Sequence, residues 1–62
     1  METYEIRFLD RQGALVLVYF AQCASDGDAR SRVPRMTEVH YDHYELWNGT
    51  GLVAEGPRPQ AA

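Results

Sequence analysis

Polar and apolar positions alternate from the start of the chain. Between Thr3 and Leu9, Tyr4, Ile6 and Phe8 fall on one side, with Glu5 and Arg7 on the other. A period of two is that of a half-buried strand. Asp10-Arg11-Gln12-Gly13 then supplies turn residues, Gly13 being free to take a positive φ. The run Ala14 to Ala21 that follows is apolar throughout and rich in β-branched and aromatic residues, so the two segments predict a hairpin. Strict alternation along this second strand puts Leu15, Leu17 and Tyr19 on one face and Val16, Val18 and Phe20 on the other. A strand apolar on both faces is normally covered on both.

The pattern changes after Cys23. Ser25 with Asp28 three residues on has the spacing of a capping box, with Asp in place of the usual longer acid. Asp26 and Asp28 suit the positive end of a helix dipole. Ala29, Val33 and Met36 recur at helical spacing and form a narrow apolar stripe. Pro34 interrupts that helix: it lacks a backbone donor and disfavours helical torsions at Val33. The helix is expected to stop near Arg32, or to kink and continue to about Glu38.

Alternation returns from Tyr41 to Trp47, with Tyr44 and Leu46 on one face and His43, Glu45 and Trp47 on the other. Asn48-Gly49 predicts a type I′ turn, which needs positive φ at both central residues. Leu52-Val53-Ala54 is the return strand, and Gly56 onward, with two prolines, reads as a loose tail. The expected architecture is α+β in the order ββαββ. Two hairpins form a four-stranded, mostly antiparallel sheet with one short helix on one face. Residues 1–55 make a single domain and 56–62 a flexible tail.

Length sharpens the problem posed by the two-sided strand. A chain of 62 residues buries only about 60% of the surface that its unfolded form exposes. Small domains offset this with disulfides, metal or self-association. Cys23 is the only cysteine, which excludes a disulfide within the chain and fits a reducing compartment. The soft metal ligands are Cys23, His40 and His43 alone, too few for a structural zinc site, which takes about four. Self-association is the device left.

Charge narrows the partners. A net charge of −3 argues against nucleic acid, whose affinity is largely phosphate contact. The N-terminus lacks a basic stretch followed by an apolar one, so no secretory signal is read there. The longest apolar run, eight residues, falls well short of the roughly twenty that span a membrane. A cytoplasmic location without membrane contact is expected.

Several strand and turn signals together resemble a family of small bacterial single-domain proteins of unknown function. They are Tyr4-Glu5-Ile6-Arg7-Phe8-Leu9-Asp10 followed by Gly13, Cys23-Ala24-Ser25-Asp26, and Tyr44-Glu45-Leu46-Trp47-Asn48-Gly49 followed by Leu52-Val53-Ala54. The likeness covers roughly residues 4–54. It implies a compact ββαββ unit and carries no activity and no functional residues. Gly27 and Pro34 depart from the uninterrupted, Ala-rich helix of similar proteins.

Candidate chemistry is sparse. His40, Asp42 and His43, with Glu38 nearby, form the only cluster of possible ligands or acid–base groups. In an extended segment His40 and Asp42 share a face; in a helical one, His40 and His43 do. Either gives two ligands, enough for a weak site or for half of one completed across a dimer, whereas a plain linker needs no special explanation. Arg30, Arg32 and Arg35 suit an anionic partner but equally form a solvated helix face. Tyr4, Tyr19, Phe20, Tyr44 and Trp47 lack the interleaved basic residues of a base-stacking platform. Asn48-Gly49-Thr50 matches a glycosylation pattern that a cytoplasmic chain would not use. Cys23 as a nucleophile would need a base nearby, and as an inert buried thiol it needs nothing.

No catalytic residues and no cofactor are expected. The chain reads as a small interaction module, homodimeric or bound to another protein through the second sheet face, centred on Val16, Val18 and Phe20 or on their opposite-face neighbours. The alternative is a ligand- or metal-binding accessory protein, or a minor enzyme subunit, using the His40–His43 segment.

Overall fold

Four antiparallel strands lie in one sheet with one short helix against it. The structure, a computed structural model, describes residues 1–59. The elements are β1 (Glu2–Leu9), β2 (Leu15–Cys23), α1 (Asp26–Arg32), a 3₁₀ turn (Val33–Arg35), β3 (His43–Asn48) and β4 (Gly51–Pro57). Strand order is β2-β1-β3-β4, so the two hairpins meet through β1 and β3, which pair from Tyr4↔Asn48 to Leu9↔His43. The expected ββαββ architecture is therefore present.

One face of β1 carries the core. Tyr4, Ile6 and Phe8 are fully buried and Leu46 of β3 lies opposite Ile6. Ala21 and Cys23 from β2, Ala29 and Val33 from the helical segment, and Tyr41 complete the cluster. The Phe8 and Tyr41 rings pack with centroids 4.5 Å apart at a tilted angle. The described molecule is only 16 Å through its thinnest dimension, the depth of one sheet and one layer upon it.

The helix is fixed mainly at its start. Ser25 Oγ accepts a hydrogen bond from the Asp28 amide, while Asp28 Oδ2 accepts one from the Ala24 amide. The shorter acid thus closes the box on the residue before the cap rather than on the cap itself. The Tyr4 hydroxyl donates to Asp26 Oδ1 at 2.6 Å, tying the first turn to the centre of the sheet. That bond, with burial second, pushes the Tyr4 phenol well above its usual range.

Four local expectations are corrected. Pro34 does end the α-helix, but Val33 keeps helical torsions (φ −59°, ψ −49°). The proline lies in the first positions of a 3₁₀ turn, where its missing donor costs little, and the fully buried Val33 side chain holds the backbone on course.

The second hairpin turns on Gly49-Thr50 rather than Asn48-Gly49, because Asn48 still pairs, with Gly51. Gly49 alone of these has positive φ (+62°). Glycine first and a negative φ second is the sign pattern of type II′, not I′.

Alternation on β2 is broken near its start. Phe8 pairs with Leu17 but Leu9 pairs with Leu15, leaving Val16 as the extra residue of a bulge. Leu15 thereby joins the face of Val18 and Phe20 instead of that of Leu17 and Tyr19.

Finally, the expected tail from Gly56 belongs in part to the domain. Gly56 and Pro57 extend β4 opposite Tyr44 and His43. Arg58 then clasps the preceding loop, its amide donating to the Asp42 carbonyl and its guanidinium to the Val39 and Thr37 carbonyls. The same guanidinium lies 4.9 Å from the centre of the Tyr41 ring. The rest of the expected tail, 60–62, lies outside the described residues.

Candidate functional site

The two edges of the sheet are built differently. On β4, Pro57 cannot donate, Glu55 carries charge, Gly51 and Gly56 weaken the strand, and a bulge opposite Leu46 and Trp47 breaks the ladder. These are the devices with which natural sheets discourage a further strand. β2 has neither charge nor proline from Leu15 to Cys23, and its one bulge lies at the start. From Leu17 to Cys23 its register with β1 is unbroken. Among the described residues, the Leu15–Cys23 backbone has no hydrogen bond outside its ladder with β1. Its outer row of donors and acceptors is open.

The side chains along this edge are exposed on both faces. Cα partners share a face, so Leu17 and Tyr19, opposite Phe8 and Ile6, stand on the helix side. The seven-residue α1 does not reach over them. Tyr19, 45% exposed, instead borders an open groove of about 330 Å³ with Asp28, Arg32, Arg35 and Met36. On the other face, Phe20 is 62% exposed and Leu15 58%, with Val18 half-buried between them.

That other face is not apolar across its width. Glu5 and Arg7 of β1 separate Phe20 and Val18 from β3. The Arg7 guanidinium pairs with Glu5, lies 3.8 Å from Glu45, and sits 4.9 Å from the centre of the Trp47 ring. Trp47 Nε1 donates to Glu45 Oε1 at 3.0 Å. The centre of the sheet is thus covered by its own polar network. The exposed apolar surface expected from Val16, Val18 and Phe20 is a strip along β2, wrapped round its edge. The sequence placed an open face on one side of the strand only; the structure leaves Leu17 and Tyr19 exposed as well, because a helix that stops at Arg32 does not cover them.

The second candidate cluster does not assemble. His40 and Asp42 are exposed in the loop before β3, whereas His43 lies on the sheet face away from the helix. Its Nε2 is 3.8 Å from Glu55 rather than near the other two. Between them Tyr41 is buried, and the Asp42 amide donates to the Leu9 carbonyl. The segment is a linker with solvated His40 and Asp42 side chains, anchored by Tyr41 and the Asp42 amide. Among the described residues, no three His, Cys, Asp or Glu side chains are placed to hold a metal ion.

The arginine cluster divides too. Arg30 reaches the Val53 carbonyl and Arg32 pairs with Asp28, four residues earlier. Cys23 is fully buried. No helix among the described residues is long and apolar enough to cross a membrane.

No family model matches the chain, and neither curated proteins nor solved structures give a match. These comparisons neither support nor oppose the resemblance drawn from the strand and turn motifs.

Proposed function

We propose that the chain is a small cytoplasmic protein-interaction module that binds a polypeptide along β2. The observation behind this is the conjunction at one edge of an open backbone row, side chains exposed on both faces, and no charge over nine residues. An edge of that kind invites pairing with another chain, and β-augmentation uses the main chain for affinity and flanking side chains for specificity. The metal- or ligand-binding alternative at His40, Asp42 and His43 has no comparable observation behind it.

A photo-crosslinking residue placed at Phe20 tests the proposal in the native cell, with the same residue at Thr50 on the far hairpin as control. A discrete polypeptide adduct from position 20 and none from position 50 is expected. Equal labelling from both, or none from either, would overturn it.

A further inference from the structure

Resting on that reading, we infer that the occupant of the β2 edge is a second copy of this chain, paired antiparallel about a two-fold axis at Tyr19 to make a continuous eight-stranded sheet. This differs from the face-to-face packing that the sequence suggests. Arg7, Glu5 and Glu45 occupy the middle of the open face, and stacking two such faces would bury their charges.

Three features of the strand favour a self-partner. An antiparallel two-fold perpendicular to the sheet preserves faces, so each exposed row meets its own kind. With the axis at Tyr19, residues pair when their numbers sum to twice 19. Val18 then faces Phe20 of the second copy on the open face, while Leu17 faces Ala21 and the two Tyr19 rings meet on the helix face. All are apolar or aromatic pairs of the sort that stabilise sheets.

The second feature is that no like charges are brought together, although the chain carries a net charge of −3. No Asp, Glu, Lys, Arg or His lies between Leu15 and Cys23.

The third lies at the ends of the ladder. This register pairs the unbroken part of the strand, Leu17 against Ala21 on either side of Tyr19, and ends before the bulge at Val16. It carries the Asp10–Gly13 turn of one copy past the end of β2 toward Ser25–Asp28 of the other. Arg11 is exposed and meets no carboxylate within its own chain among the described residues. In the pair it arrives where Asp26 and Asp28 open the helix. Opposite charge at each end favours this register.

The test is charge exchange across the axis, read as solution mass by size exclusion with light scattering. Wild type is expected at twice 7.1 kDa. Val18→Lys/Phe20→Lys sets lysine against lysine at both symmetry-related pairs, and Val18→Glu/Phe20→Glu sets glutamate against glutamate. Each alone is expected to self-associate about a hundred-fold more weakly, since like charges juxtaposed across an interface are strongly disfavoured. Mixing the two is expected to restore a dimer. Both positions lie outside the core, and circular dichroism with Trp47 fluorescence checks that each variant folds.

A wild type that stays monomeric at about 200 µM, which would mean a self-association weaker than about −5 kcal/mol, overturns the second copy as occupant. The β2 interaction reading would survive that result if the crosslink from position 20 goes to a different polypeptide. Dimers that persist in both charged variants overturn β2 as the interface altogether. Charged variants that are monomeric alone and stay so when mixed overturn the Tyr19-centred register.

Discussion

Arg58 provides the sharpest test of how the domain is held closed, because its whole contribution comes from a residue that hydropathy assigns to a loose tail. The perturbation is Arg58→Ala. It removes two guanidinium hydrogen bonds, to the Val39 carbonyl at 3.1 Å and the Thr37 carbonyl at 3.3 Å. It also removes the contact with the Tyr41 ring. Hydrogen bonds to charged groups contribute about 1.5–3 kcal/mol where they are well buried. Arg58 is only half-buried and Thr37 is exposed, so about 1 kcal/mol for the Val39 bond and less for the Thr37 bond is the reasonable share. A partly exposed cation–π contact adds about 0.5–1 kcal/mol. The expected loss is about 2 kcal/mol. For a domain of this size that lowers Tm by about 8–16 °C. Thermal unfolding followed by the single tryptophan, at one fixed protein concentration, measures it. Arg58→Lys should recover little, since an ammonium cannot serve two carbonyls and a ring with a planar fork. A Tm for Arg58→Ala within 2 °C of wild type, a shift equivalent to about 0.3 kcal/mol, would show that the Arg58 guanidinium contributes nothing to holding the domain closed.

Further outcomes follow from other contacts. Tyr4→Phe should cost about 1 kcal/mol in chemical denaturation, the lower range for a hydrogen bond, since Asp26 is exposed and recovers water. The same variant should flatten the alkaline limb of the stability profile. The folded phenol titrates above its unfolded value, so its contribution is complete below about pH 10 and declines as pH rises toward the folded value. The Tyr41 phenol, raised by burial against the opposing pull of Arg58, should leave a second alkaline component in that variant; an unchanged alkaline limb would refute the Tyr4–Asp26 bond. Gly49→Ala should destabilise by about 1–2 kcal/mol through its positive φ alone, because a methyl group there would meet nothing within 4 Å. An unaffected midpoint would mean the turn is not centred on Gly49-Thr50.

The strands and the core were legible because period two survives wherever one face is buried. Tyr4, Ile6, Phe8 and Leu46 could be named in advance for that reason, and all four are fully buried. What was not legible depends on contacts distant in sequence. The bulge at Val16 depends on how Leu9 meets Leu15 across the first hairpin, and no local signal marks it. The fixing of the last residues depends on Tyr41 and the Val39 carbonyl, 17 and 19 positions before Arg58. Around Pro34 the local rule was outweighed, since burying Val33 fixes torsions that the proline alone would disfavour. The candidate surface was half legible. The two-sided apolar run and a helix stopping near Arg32 pointed to β2, but strand order was needed to place it at an edge with both rows of side chains exposed.

That strand order changes what the apolar run is for. Had β2 paired on both sides, Leu15 to Phe20 would read as an interior strand with ordinary two-sided burial. At the edge, all of these residues but Val18 leave two-fifths or more of their surface in water, in a domain too small to leave burial unused. Packing a partner onto the open face would cover Phe20 and Val18 but leave Tyr19, Leu17 and the backbone row exposed. It would also press on the Arg7–Glu45–Trp47 network. Adding a strand covers both rows of side chains and the backbone together, and leaves that network in water. β4 cannot offer the same solution, with Pro57, Glu55 and a bulge along it. The asymmetry between the edges favours strand addition on one side only, so that the pairing proposed through β2 would close on a dimer instead of continuing into a fibre.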